Sequence, residues 1–248
     1  MLALQEKVQK EYEQWENTPP NMVNEKLGQL TKPMVFLVEP VIKRVVFLLE
    51  CVISKANEYV ASAVKKYSDK VPNFEDMDEK SFEEWFAKAD KQAEKLKMAG
   101  IAAVSVEGGV TGFFGAKGLL ADIPAVFGLI FSFSNKIALT YGLPIKSQEI
   151  QIEILNAIRA GSASSVKEKA KLATDNIAPA MIMAVEKILE KLGVDVTKRK
   201  SFQLIPILGA GAGIIINGAW ALDTLEAVRQ NSRKWIVIKQ GEKYGISR

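Results

Sequence analysis

The chain has 248 residues, of which 48% are hydrophobic and 25% are charged, with 33 lysines and arginines against 29 aspartates and glutamates. This composition is typical of a globular protein, so it excludes a disordered chain, a collagen-like repeat and a disulfide-rich scaffold. The absence of histidine excludes every catalytic triad, metal site or proton shuttle that needs an imidazole ring. The single cysteine, Cys51, cannot form an intrachain disulfide, which favours a reducing compartment.

Apolar residues recur at helical spacing from the N-terminus onward. Val8, Tyr12 and Trp15 define one face of a first helix, and a second amphipathic pattern covers 52–67. Two capping boxes follow, in which a serine precedes a glutamate by three residues. The pairs are Ser81 with Glu84 and Ser165 with Glu168.

No run of alternating apolar and polar residues bounded by turn residues indicates a sheet. The sequence therefore predicts an all-α fold, a single helical bundle that forms one domain over 1–248. Within it we expect N-terminal helices in 1–71, an acidic loop over 72–80 and the core helices in 81–248. The acidic loop lacks the central glycine and the distal glutamate of an EF-hand, so a solvated helix-entry loop is the better interpretation.

Two apolar, glycine-rich segments stand apart from this background, one from Gly108 to Tyr141 and one from Pro206 to Asp223. Glycines spaced by three or four residues let two helix backbones approach closely. We therefore expect the two segments to pair at the centre of the bundle. The residues expected to form this structural motif are Gly108, Gly109, Thr111, Gly112, Gly118, Asp122, Pro124, Gly209, Gly213, Asn217 and Asp223.

The aspartates that close the two segments are expected to have structural roles. Asp122 lies two residues before Pro124, a spacing typical of an N-cap at a helix start. Asp223 lies within a predicted helix without a basic residue three or four positions on, so its partner must come from another element. Lys117 and Thr111 are the candidates for that partner.

Neither segment matches a phosphate-binding loop. A dinucleotide fingerprint needs a glycine where Ile214 stands, and Lys117 lies between alanine and glycine instead of in a Gly-Lys-Ser/Thr motif. The basic run at 198–200 is short and has no interleaved aromatic residues, which argues against nucleic-acid binding. The sequence thus predicts no cofactor, no metal and no catalytic residue.

Length decides whether a segment can cross the ~30 Å hydrocarbon core of a membrane. Between Asp122 and Lys136 lie 13 uncharged residues, which is too few, whereas 22 lie between Lys200 and Asp223. The longer stretch, 201–222, includes polar residues. Its sequence leaves open whether it is buried core or inserts into a membrane.

The C-terminal 20 residues, 229–248, carry six basic side chains and only one acidic one, Glu242. Basic residues beside a tryptophan are typical of contacts with the headgroups of anionic lipids. The candidate lipid contacts are Arg229, Arg233, Lys234, Trp235 and Lys239.

These motifs together resemble the EcsC family of bacterial proteins. The resemblance covers nearly the whole chain and includes the N-terminal stretch Tyr12-Glu-Gln-Trp15-Glu. It rests further on the run from Gly108-Gly109 through Gly112 and Gly118 to Asp122-Ile-Pro124, on Tyr141-Gly142, and on the series Pro206, Gly209, Asn217, Asp223, Ala227, Arg229 and Trp235. The family is named for a protein encoded beside the subunits of an ABC transporter. The resemblance implies a bacterial protein that is either cytoplasmic or peripheral to the inner face of the cytoplasmic membrane, and it supplies no catalytic residues.

From these observations the sequence predicts a non-enzymatic helical interaction protein that acts at or near the bacterial membrane as an accessory to an ABC transporter. Its expected partner is an anionic membrane surface or a membrane protein. One alternative is a soluble enzyme that uses Asp122, Asp223 and Glu107 as acid–base groups. The other is a pore-forming type of protein, which would release its two glycine-rich segments into a membrane.

Overall fold

The computed structural model describes residues 1–30, 45–53, 74–112, 115–174, 188–194 and 209–245; the side chains of 28–30, 75, 108–112, 115–122, 174 and 209–212 are outside this description. The helices are α1 (Leu2–Asn17), α2 (Met22–Leu30), α3 (45–53), α4 (Glu79–Gly112), α5 (Gly115–Thr140), α6 (Gln148–Gly161), α7 (Val166–Thr174), α8 (188–194) and α9 (Gly209–Lys243). Within the described ranges there is no strand, and a 3-10 turn at Phe74–Asp76 precedes α4. The prediction of an all-α bundle is confirmed.

The longest helix, α9, is the centre of the bundle. It packs most extensively against α4 and also contacts α1, α2, α5 and α6. Trp220, Leu225 and Ile236 are fully buried along its length. The first glycine-rich segment forms the end of α4 and all of α5, the second forms the first part of α9, and both α4 and α5 contact α9. Most of the glycines expected to pair the two segments have surroundings outside the described residues.

The start of α4 is fixed by Asp78, whose carboxylate accepts a hydrogen bond of 2.7 Å from the backbone N–H of Ser81. This bond and the second one from the Ser81 side chain lower the pKa of Asp78. The helix therefore begins at Glu79, and the predicted capping box of Ser81 with Glu84 is wrong. An aspartate three residues earlier supplies the acceptor, which leaves Ser81 inside the first turn.

The start of α7 agrees with the sequence prediction, since the Ser165 hydroxyl accepts a hydrogen bond of 3.2 Å from the backbone N–H of Glu168. In the same helix the buried Lys169 ammonium donates to the backbone carbonyls of Trp15 and Thr18, at 3.1 and 2.5 Å. Burial lowers the pKa of Lys169. These bonds satisfy carbonyls at the C-terminal end of α1 and tie α1 to α7.

The start of α5 differs from the sequence prediction. The helix begins at Gly115, so Pro124 lies inside it and Asp122 is not its N-cap. Proline lacks an N–H and leaves one carbonyl of the preceding turn without its helical partner. Burial of the surrounding side chains offsets that cost, because Ile123 and Phe127 are fully enclosed in the core.

Among the described residues, one segment is long and apolar enough to cross a membrane, Ile123–Thr140 in α5, and 56% of it is buried inside the bundle. The stretch includes Lys136, the charged residue that limits the uncharged run after Asp122 to 13 residues.

After α5 the chain turns at Gly142, whose φ of 77° is in the left-handed region that favours glycine. The N–H of Leu143 donates to the carbonyl of Ala138 at 3.1 Å and completes this C-terminal cap.

Candidate functional site

Charged side chains of α4 and α9 meet in a partly buried network, called here the ion cluster and defined as Asp90, Glu94, Lys97, Glu226, Arg229 and Arg233. Lys97 Nζ donates to Glu226 at 2.7 Å and lies 2.9 Å from Glu94. Arg229 donates to Asp90 and Glu226, each at 3.0 Å. Burial alone would raise the pKa of Glu226, but Arg229 and Lys97 outweigh it and hold that pKa below its usual value.

Arg233 extends the ion cluster toward α1. Its side chain is 5% exposed, its Nε lies 3.0 Å from Asp90, and its Nη2 donates to Glu11 at 2.5 Å. The Tyr141 hydroxyl donates to the same Asp90 carboxylate at 2.6 Å. Burial and the adjacent Asp90 raise the pKa of Tyr141, so its hydroxyl stays protonated as a donor. The cluster thus clamps α1, α4, α5 and α9 together.

This placement corrects the expectation that Arg229 and Arg233 face lipid, because both guanidinium groups are paired with carboxylates inside the bundle. The other three candidates, Lys234, Trp235 and Lys239, line a cleft between α1, α6 and α9. Lys234 lies 4.0 Å above the ring of Tyr12, and Lys239 lies 5.9 Å from the centre of the Trp235 ring.

The cleft has a volume of about 860 Å³. Its floor is apolar and includes Val8, Ile154 and Val237, which are buried. Its charged lining consists of four glutamates and two lysines: Glu6, Glu149, Glu153, Glu242, Lys234 and Lys239. Among the described residues, the three helices therefore present an open groove with an apolar floor and a net acidic lining.

A short polar chain crosses one wall of the cleft. The Tyr12 hydroxyl donates to the side-chain oxygen Oδ1 of Asn231 at 3.4 Å, and the side-chain Nδ2 of Asn231 donates to the Glu153 carboxylate at 3.3 Å. Burial raises the pKa of Glu153, and the neighbouring Glu149 adds to this shift. Burial also raises the pKa of Tyr12, which therefore acts as a hydrogen-bond donor.

At the opposite end of α9, exposed apolar side chains collect where α4 and α9 run side by side. The contact of Lys97 with Glu226, and of Ser105 with Gly218, shows that the two helices are antiparallel and in register there. Val106 and Ile215 lie at the same level and are 68% and 59% exposed. We call the whole set the apolar end; its members are Met98, Val106, Ile214, Ile215 and Leu222.

A row of exposed lysines leads along α4 to the apolar end. Lys88, Lys91 and Lys95 follow at helical spacing, and Met98 and Ala102 continue the same face. None of the three lysines forms an ion pair with another described residue. The outer face of α4 thus changes from cationic to apolar within two turns.

The described partners of Asp223 lie at the start of α2, so they come from another element, as predicted. The side chains of the two predicted partners, Lys117 and Thr111, lie outside the described residues. The Oδ2 atom of Asp223 accepts hydrogen bonds from the backbone and side-chain N–H groups of Asn21, at 3.0 and 2.8 Å, and from Asn24 at 2.8 Å. Asn21 in turn caps α2 by accepting from the backbone N–H of Asn24 at 3.1 Å. Asp223 therefore positions the N-terminus of α2.

The remaining motif residues divide into two groups. Gly213 and Asn217 are buried in α9, and Pro124 is half-buried in α5. The surroundings of the others lie outside the described residues; these are Gly108, Gly109, Thr111, Gly112, Gly118, Asp122 and Gly209. In the part of the chain that the structure describes, no three acidic or cysteine side chains converge as a metal site would require.

The ion cluster and the cleft are features that the sequence analysis missed. Glu226, Arg229 and Arg233 follow at spacings of three and four, which places all three on one face of a helix. Asp90 and Lys97 have the matching spacing of seven. Two helices that each have charged residues on one face can pack with those faces together, and this was the signal in the sequence for the ion cluster. Nothing in the sequence indicates which helices border the cleft.

A model of the EcsC protein family matches residues 3–235, which is nearly the whole chain. No curated protein sequence matches the chain, and no solved structure does.

Proposed function

Since the chain belongs to the EcsC protein family, we propose that it is a non-enzymatic interaction protein that binds the surface of an anionic membrane through the apolar end and the lysine row of α4. We further propose that this membrane is the bacterial cytoplasmic membrane, that the protein lies at its inner face, and that it serves there as an accessory to an ABC transporter. The transporter link rests on the family resemblance alone.

The single observation that supports membrane binding is the exposure of the apolar end. Met98 is 56% exposed, Val106 68% and Ile215 59%. Exposed apolar area costs about 25 cal/mol per Å² relative to an apolar environment, so contiguous apolar side chains favour burial against lipid or protein. Met98 and Val106 lie on α4 and Ile215 on α9, and these two helices pack against each other.

The adjoining lysine row favours lipid over other apolar partners. In a helix that binds the membrane surface, the apolar side chains reach the acyl chains and the neighbouring cations lie at the level of the headgroups. Each of these cations adds about 1 kcal/mol to the binding of anionic lipid. Lys95 lies one turn from Met98, and Lys91 and Lys88 lie one and two turns further away. This order matches the change from acyl chains to headgroups to water.

Co-sedimentation with vesicles tests the proposal. We expect the chain to bind vesicles with anionic lipid at low salt, and the double variant Met98→Asp/Val106→Asp to bind at least about tenfold more weakly. Each lost apolar contact is worth about 1.5–3 kcal/mol, and 1.4 kcal/mol is tenfold in affinity. Both positions are exposed, so the fold does not depend on them.

Leu2→Asp is the matched control, because Leu2 is equally exposed, at 56%, but borders the cleft instead of the apolar end. It should leave vesicle binding unchanged. Replacing Lys88, Lys91 and Lys95 with alanine should weaken binding at low salt and have little effect at high salt. Equal binding by wild type and the Met98/Val106 variant would refute this membrane surface.

A further inference from the structure

We propose that the cleft between α1, α6 and α9 is a docking groove for a basic amphipathic helix of a partner protein. This inference does not depend on membrane binding, because the cleft and the apolar end involve different residues and lie toward opposite ends of α9.

The walls of the cleft have the form of a helix-binding groove. Helices α1, α6 and α9 form most of its lining, to which Leu143 and Ala173 of α7 also contribute, and the stretch of α9 that lines it, from Val228 to Glu242, covers about four turns. Its floor is apolar, and Leu2 adds an exposed apolar side chain at the rim. An amphipathic helix binds such a groove by burying one apolar stripe against the floor.

Charge decides what kind of helix fits. Glu6 on α1, Glu149 on α6 and Glu242 on α9 place an exposed carboxylate on each of the three walls. Neither Glu6 nor Glu149 pairs with a basic side chain among the described residues. Cations at the edges of an apolar stripe would meet these carboxylates on every side, whereas an acidic helix would meet like charges.

The lysines of the cleft are already engaged by its aromatic rings. Lys234 lies over Tyr12, and Lys239 lies near Trp235 and 3.5 Å from Glu242. They therefore leave Glu6 and Glu149 available to a partner. An anionic lipid headgroup in the cleft would face the four glutamates, so lipid is the less suitable occupant.

Two designed peptide probes of about 18 residues test the proposal, one a leucine/lysine amphipathic helix and the other its leucine/glutamate counterpart with the same apolar face. Binding is measured by fluorescence anisotropy of the labelled peptide. The lysine peptide should bind at least about tenfold more tightly than the glutamate peptide. The whole chain carries a formal charge of +4, so overall attraction cannot produce this order.

The double variant Glu6→Lys/Glu149→Lys should weaken binding of the lysine peptide at least about tenfold. Its matched control is Glu84→Lys/Glu190→Lys, which makes the same charge change at two exposed positions outside the cleft and should bind as wild type does. Circular dichroism confirms that each variant remains helical.

Three results would overturn the proposal. Equal affinity for the two peptides would show that charge does not select the occupant. Equal loss in the cleft variant and its control would show that the peptide binds elsewhere. A wild-type dimer that the lysine peptide dissociates would show that a second copy of the chain fills the cleft.

Discussion

Asp90→Ala is expected to destabilise the protein by about 3–5 kcal/mol, which is the usual cost of removing one partner from a buried ion pair. The Asp90 carboxylate accepts from the Tyr141 hydroxyl and contacts both Arg229 and Arg233. Its removal leaves two guanidinium groups short of a counter-charge at the contact between α4 and α9. Urea unfolding should show the loss as a lower transition midpoint, and the melting temperature should fall by roughly 6–20 °C.

Glu84→Ala is the control for that experiment, since Glu84 is an exposed acidic residue on the same helix, outside the ion cluster. Its effect on stability should stay within about 0.5 kcal/mol. If Asp90→Ala were as mild as Glu84→Ala, the ion cluster would not hold α4 to α9.

Gly161→Ala is expected to destabilise the protein by about 1–3 kcal/mol, although alanine favours a helix more than glycine does. Gly161 ends α6 against the backbone of α9, and a methyl group there would lie 2.5 Å from the carbonyl oxygen of Asp223. Backbone cannot rotate away as a side chain can. The two helices must separate, which also disturbs the bond between Trp220 and Ser162, now 2.7 Å.

Gly128→Ala makes the same chemical change where there is room. Its methyl group would lie 3.4 Å from a side-chain methyl of Val52, an ordinary contact. Because Gly128 is inside α5, alanine should stabilise the helix by about 0.5–1 kcal/mol. Thermal unfolding of both variants should therefore give shifts of opposite sign, and a shift of the same sign would contradict the close approach of α6 to α9.

Helical periodicity predicted much of the fold. The face defined by Val8 and Tyr12 is buried as expected, because an apolar stripe at helical spacing needs a core to cover it. A small residue of the second glycine-rich segment also allows a close helix contact, that of Gly218 in α9 with Ser105 in α4.

Helix starts were predicted less well. A capping serine competes with any acceptor nearby, and Asp78 displaced Ser81 in that role at α4. The sequence predicts a helix start at Asp122 and Pro124 because proline is favoured in the first turn, yet in α5 the burial of its neighbours keeps the helix continuous through Pro124. Local signals do not include the packing energy that decides such cases.

The roles of Arg229 and Arg233 could not be predicted from the sequence nearby. Arg229 binds Asp90, 139 positions away, and Arg233 binds Glu11, 222 positions away. A basic C-terminal stretch indicates a lipid-binding surface only if its side chains are not paired within the protein. Carboxylates of α1 and α4 pair with these arginines, so the arginines connect helices inside the bundle.

The sequence does not indicate the lysine row of α4, because the acidic residues of the same helix lower the net charge of this stretch.

Fluorescence of a single labelled position tests most directly whether the apolar end enters the membrane, as proposed. Cys51 is the one cysteine and is replaced with serine, after which an environment-sensitive dye is attached at Ala102→Cys or, separately, at Ala87→Cys. Both positions are exposed on α4, but Ala102 lies among the apolar side chains and Ala87 lies before the lysine row. On anionic vesicles the dye at position 102 should shift to the blue and be quenched by lipid-borne quenchers, while the dye at position 87 should report water. Vesicle binding with no blue shift at position 102, or with equal shifts at both positions, would contradict the claim.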